Sequence, residues 1–249
     1  MPTDDALLRL VPSMSADEQR ALVDSLLQRS ADSFLAELRR PKVPTLRRKP
    51  RKVRGFQVRV DLLHVKPPIW RRLVLPGDLT LERVHLVLNE AMGWTNSHLH
   101  RIRTGSDPYS PCFITEFDRD EGDEGILEDD VRLDQVFAEA GDALWYDYDF
   151  GDDWEHVVKV EAVLLDPPAG VEIVTGRRAC PPEDVGGIWG YDTVAQWVES
   201  RYDDALLPEQ FENARHGRDW LPRGWDPATF DLESTRIAIR DVLDVADED

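Results

Sequence analysis

"ALWYDYDFGDDWEHVVKVEAVLL", residues 143–165, decides the fold. Residues 143–150 and 154–165 each alternate apolar and polar side chains on either side of Gly151, Asp152 and Asp153, which is the pattern of a β-hairpin. Successive strand residues point to opposite faces, so Tyr146, Tyr148 and Phe150 share one side, as do Trp154, His156, Val158 and Val160. Both sets meet one core only if the loop has an odd number of residues, and a three-residue loop at 151–153 satisfies this. That register sets Tyr148 opposite His156 and Asp149 opposite Glu155. The second pair is a like-charge contact that needs an arginine, a cation or water between its members. Arg71, Arg72, Arg101 and Arg103 are the expected counter-charges, with a divalent cation or an acid–base role as the alternative.

Working outward, "FQVRVDLLHV" (56–65) and "IWRRLVLP" (69–76) predict a second hairpin turned by Pro67 and Pro68. "TLERVHLVLNEAMGW" (80–94) predicts a helix capped by Thr80 and stopped at Gly93, with His85 solvated on its surface. "HLHRIRT" (98–104) predicts a short strand, residues 105–130 an acidic loop, and "RLDQVFAEAG" (132–141) a short helix ending at Gly141. In the acidic loop, "DRDEGDEG" (118–125) fits no calcium-loop register: a start at Asp118 puts Gly122 at position 5, and a start at Asp120 puts Val131 at position 12. Residues 166–191 are rich in proline and glycine and predict a long irregular loop. Three helices are expected in 192–204, 206–220 and 230–249, with Asp226-Pro227 and Asp231 as start signals.

The N-terminal part is different. Residues 15–39 carry a capping-box spacing at Ser15 and Glu18 and apolar residues at helical spacing. Residues 39–54 then hold nine basic and no acidic side chains, with Pro41, Pro44 and Pro50 opposing a helix. The expected organisation is a helical extension (1–40), a basic proline-containing linker (41–55) and one domain (56–249). That domain is expected to be α+β, a largely antiparallel sheet flanked by helices, whose hairpin, helix, strand, hairpin order is analogous to a β-grasp.

The formal charge is −19, and residues 55–249 carry 18 basic against 42 acidic side chains. Such a body repels phosphate backbones, so contact with nucleic acid would fall to Arg47, Arg48, Lys49, Arg51, Lys52 and Arg54. No apolar run reaches the roughly 20 residues of a membrane span, and the first residues lack a basic flank, so a cytoplasmic protein is expected. Cys112 and Cys180 are too far apart for a two-residue-spaced metal or redox pair, and each is expected to be a small core residue.

Five blocks, "KPPIWRRLVLP" (66–76), "LVLNEAMGWTNSHLH" (86–100), "YDYDFGDDWEH" (146–156), "ACPPEDVGGIWGY" (179–191) and "WDPATFD" (225–231), together make the chain resemble the plasmid pRiA4b ORF-3-like family over residues 56–235. The resemblance implies a compact α+β domain found in plasmid, mobile-element and chromosomal proteins, and it implies no particular reaction. Many members carry a histidine- and glutamate-rich segment after the glycine-tyrosine helix. This chain has "SRYDDALL" there, so a role for that segment does not transfer.

Two readings of the polar residues stand side by side. His98 and His100, two apart on one strand face, can begin a transition-metal site that Asp149 and His156 complete. The default reading of the same histidines is buried imidazoles bonded to tyrosine or aspartate. "ACPPEDVGG" (179–187) combines stiff prolines with permissive glycines around Glu183 and Asp184, an arrangement that presents two carboxylates on a fixed loop. The candidate pocket is therefore Tyr148, Asp149, Asp152, His156, Cys180, Glu183, Asp184 and Tyr191. The leading expectation is a binding or interaction module with no assigned catalytic residue. A metal-dependent hydrolase or nuclease, and a mobile-element accessory protein touching nucleic acid through its linker, are the alternatives.

Overall fold

Alternation and capping signals appear in the structure as strands and helices close to their expected places. The computed structural model describes residues 43–246, so the helices expected in 1–40 lie outside the described residues. The elements run β1 (Gly55–Leu62), β2 (Trp70–Pro76), α1 (Leu81–Met92), β3 (His100–Arg103), α2 (Glu116–Asp120), α3 (Leu133–Val136), β4 (Ala143–Tyr148), β5 (Trp154–Leu164) and β6 (Glu172–Arg177). They continue as α4 (Gly187–Glu199), a 3₁₀ turn (Asp204–Leu206), α5 (Ala214–Trp220) and α6 (Leu232–Ala246). The six strands form one sheet in the order β3-β4-β5-β1-β2-β6, and every pairing is antiparallel. The fold is α+β, and the expected hairpin, helix, strand, hairpin order is observed.

Parity decides the two faces of the sheet. Phe56, Val58, Val60, Leu73, Tyr146, Tyr148, Trp154, His156 and Val158 are buried on one face, against which α1 packs. Thr80 caps α1 by accepting from the Arg83 N–H, and Gly93, at φ 88°, ends it by donating to Asn89 and Glu90 carbonyls. The opposite face carries paired charges. Arg59 pairs with Asp61, Arg72 with Glu161, and Arg103 bridges Asp147 and Glu155 at 2.7 and 2.8 Å. The expected arginine counter-charges are thus Arg72, Arg101 and Arg103, whereas Arg71 turns to the core face.

Several expectations need correction. The β4–β5 register is shifted by two residues: Tyr148 faces Trp154, Tyr146 faces His156 and Asp147 faces Glu155. Five residues, 149–153, form the loop because Asp149 leaves the strand at φ 56° and its carboxylate caps the N–H groups of Gly151 and Asp152. An odd loop of five keeps the faces of an odd loop of three. His98 lies outside β3 and so does not share a strand face with His100. The 166–191 segment contains β6, an edge strand on β2 in which only Ile173 is buried, so its apolar pattern is too faint to predict a strand. α3 ends at Val136 rather than Gly141, and of the helix expected in 206–220 only Ala214–Trp220 is α-helical.

Residues 43–54 have no regular secondary structure and lie on the acidic domain. The Arg47 N–H donates to the Gln135 carbonyl at 2.9 Å, and its guanidinium reaches the Val136 carbonyl and Asp142. Arg54 donates to the Ala138 carbonyl and Lys52 to Asp166. Among the described residues no helix is long and apolar enough to cross a membrane.

Candidate functional site

Three separate stretches converge at the end of the β4–β5 hairpin. Asp149, 6% exposed, uses one carboxylate oxygen to cap its own turn, which leaves the other free to face His98. Its N–H donates to the Leu99 carbonyl at 2.9 Å and so holds the 96–99 segment beside the turn. The 179–187 loop closes over the same place. The Trp94 indole N–H donates to the Pro181 carbonyl at 3.0 Å, and the Gly186 N–H donates to the Asp152 carboxylate at 3.1 Å. A Cβ on Gly187 would lie 2.8 Å from the Asp152 carbonyl oxygen, so close approach of the two backbones requires glycine there.

This packing sets His98 Nε2 at 3.6 Å from Asp149 Oδ2 and 3.4 Å from Asp184 Oδ1. One potential donor atom from each of the three residues lies within 4.8 Å of the other two. His98 Nε2 is itself out of contact with solvent and makes no hydrogen bond among the described residues, while the Asp184 side chain is 74% exposed.

Glu183 beside them is fully engaged. It accepts from the Tyr148 hydroxyl at 2.7 Å, from the Thr95 N–H and hydroxyl at 3.2 and 2.5 Å, and from the Ser97 hydroxyl at 3.3 Å. Burial pushes its carboxyl up, but the bonds from Thr95, Tyr148 and Ser97 together outweigh that and hold it below the ordinary range. Burial and the bond to Glu183 raise the Tyr148 phenol.

Of the residues expected from the sequence, Tyr148, Asp149, Asp152, Glu183, Asp184 and His98 meet here, and His100, His156, Cys180 and Tyr191 sit elsewhere. His100 stacks on His85 with ring centroids 3.5 Å apart and binds both oxygens of Glu128 at 3.0 Å. His85 is buried, not solvated. Tyr146 and Asn96 bond its two nitrogens at 2.9 Å, and burial followed by the neighbouring His100 lowers its pKa to about 3. Spacing held the signal, since Leu81, His85 and Asn89 follow one another at intervals of four on the buried side of α1. His156 is wholly enclosed, its Nδ1 3.0 Å from the Tyr146 carbonyl. Cys180 contacts Arg71 and Met92, and Tyr191 packs against Trp225. Thr95 and Ser97 had no sequence signal, because hydroxyls next to a glutamate 86 to 88 residues away leave no periodicity.

A family model described as plasmid pRiA4b ORF-3-like protein matches residues 54–234. The chain belongs to the plasmid pRiA4b ORF-3-like family. It is 40% identical over 191 residues to the uncharacterized protein y4hQ of Sinorhizobium fredii (strain NBRC 101917 / NGR234), covering 75% of this chain and 91% of the relative. It also resembles the crystal structure of a protein of unknown function, MM3350, from Methanosarcina mazei Go1, with a TM-score of 0.58 and 25% identity across 73% of this chain and 97% of that one. In this pRiA4b ORF-3-like domain, the 86–100, 146–156 and 179–191 blocks supply the His98, Asp149 and Asp184 cluster.

Proposed function

We propose that this domain is a ligand-binding module and that His98, Asp149 and Asp184 hold a divalent transition-metal ion. The observation that carries this reading is His98 Nε2, shielded from solvent, without a hydrogen-bond partner among the described residues, and 3.4 and 3.6 Å from two carboxylate oxygens. Two ligand atoms about 2.1 Å from one tetrahedral ion are about 3.4 Å apart, so the spacing suits a shared ion better than a direct hydrogen bond. One imidazole with two carboxylates suits zinc, manganese, iron or nickel, whereas calcium favours an all-oxygen shell. The exposed Asp184 leaves a side of the site open to an incoming ligand. Binding rather than catalysis is the reading because the hydroxyls of Thr95, Ser97 and Tyr148 bond to Glu183 and, among the described residues, to no imidazole.

Titration of untagged protein with zinc, manganese and nickel tests this. A fitting ion at about 100 times its Kd raises stability by about 2.7 kcal/mol. Asp184→Asn, an exposed change that spares the core, is expected to weaken binding about tenfold or more. Unaltered melting with all three ions, or wild-type affinity in Asp184→Asn, would remove the metal from this reading.

A further inference from the structure

Cys180, at the start of the loop that carries Asp184, lines a cavity of about 520 Å³. Its wall includes Arg71, Met92, Trp220, Trp225 and Phe230. Arg71 is 1% exposed. A guanidinium has five N–H groups. Those of Arg71 go to the Ala91 carbonyl at 2.7 Å, the Trp70 and Arg177 carbonyls at 2.9 and 3.1 Å, and Cys180 Sγ at 3.4 Å. All four acceptors are neutral, and the remaining Nη2 N–H has no acceptor among the described residues. No carboxylate of the described residues pairs with Arg71, in contrast to Arg59, Arg72, Arg103 and Arg178. Burial accordingly lowers its pKa, opposed only by Cys180.

A buried charge without an opposite charge is costly. The carbonyl end of α1, reached through Ala91, offsets part of this cost. What remains is a fixed positive group, with one N–H unpaired among the described residues, on a residue that lines an aromatic-walled cavity. The Phe230 ring lies 4.1 Å from the guanidinium, and Gly176 leaves room for both: a Cβ there would come 2.7 Å from the ring and 2.8 Å from Arg71 Cδ. The carboxylates that also line the cavity are engaged. Glu183 is held by Tyr148 and Thr95, Asp226 accepts from the Ala228 N–H, and Asp231 caps α6.

We propose that this cavity binds a small organic carboxylate with an aromatic body. The ligand carboxylate accepts from Arg71 Nη2, and the ring packs against Trp225, Phe230 and Met92. Arginine suits this role because its planar fork matches a carboxylate and stacks on rings. The volume falls in the lower half of the range of small-molecule sites, about 300–1,000 Å³. The inference does not depend on the metal reading, so its test is run with chelator present.

The chain has three methionines, of which Met92 alone lies among the described residues, so carbon-13 methyl labelling reports on the cavity. Benzoate is expected to shift the Met92 methyl saturably and about tenfold more tightly than benzyl alcohol, with benzylammonium weaker still. Folded Arg71→Gln is expected to lose that preference. Should Arg71→Gln fail to fold, Phe230→Leu keeps the charge and is expected to weaken benzoate about threefold while retaining its preference over benzyl alcohol. A Met92 signal unmoved by benzoate overturns the proposal. So does equal binding of benzoate and benzyl alcohol, which would leave Arg71 as a tie between α1 and the sheet edge.

Discussion

His156 faces the core between Trp94 and Tyr146, where its Nδ1–H donates to the Tyr146 carbonyl and its Nε2 has no hydrogen-bond partner among the described residues. Burial lowers its pKa to about 4, against the smaller opposing effect of that hydrogen bond. An unfolded histidine titrates near 6.5, so between about pH 6.5 and 4 the unfolded chain binds more protons than the folded one. Stability is therefore fully present above about pH 6.5 and falls as the pH drops, by on the order of 3 kcal/mol for this group. His85, at about 3, acts in the same direction. Urea unfolding at pH 7.5 and 5 is expected to show a smaller loss in His156→Gln than in the native chain, and equal losses would refute the assignment. Period-two alternation had already placed His156 with Trp154 and Val158. What it lacked was the partner on α1, since burial of His85 depends on a helix packing over the sheet.

At the scale of elements, the 179–187 loop is stiff because several backbones meet there. Gly190, in the first turn of α4, would place a Cβ 1.8 Å from the Val185 carbonyl oxygen. Gly190→Ala must open that turn or displace the loop, and it is expected to cost about 2–4 kcal/mol. Gly170→Ala meets nothing within 4 Å and is expected to stay within about 0.5 kcal/mol. Denaturant midpoints separate the two, and matching midpoints would contradict this account of the loop. The β4–β5 hairpin shows how far a pattern reaches: parity assigns faces, but the side chain of Asp149 sets the register by capping its own turn. β6 was illegible for a different reason, because an edge strand with one buried side chain depends on the backbone of β2 for its conformation.

Across the whole molecule, charge follows topology. The sheet face away from α1 carries alternating acidic and basic partners, and residues 43–54 rest on the acidic domain through Arg47, Lys52 and Arg54. Arg48, Lys49 and Arg51 are exposed. Changing Arg47 and Arg54 together to glutamine is expected to cost about 1–2 kcal/mol, and the same change at Arg48 and Lys49 less than about 0.5 kcal/mol. Equal effects on the unfolding midpoint would show that the segment is not seated.

The sequence by itself determined the two hairpins and their inward faces, the capped helix between them and the family, because period, caps and turn residues act over a few positions. Tertiary structure alone brought His98 to Asp149 and Asp184, and left Arg71 without a carboxylate among the described residues. Those outcomes depend on contacts such as Trp94 with Pro181 and Tyr148 with Glu183, 87 and 35 residues apart, and no local pattern encodes which distant loop a side chain will meet.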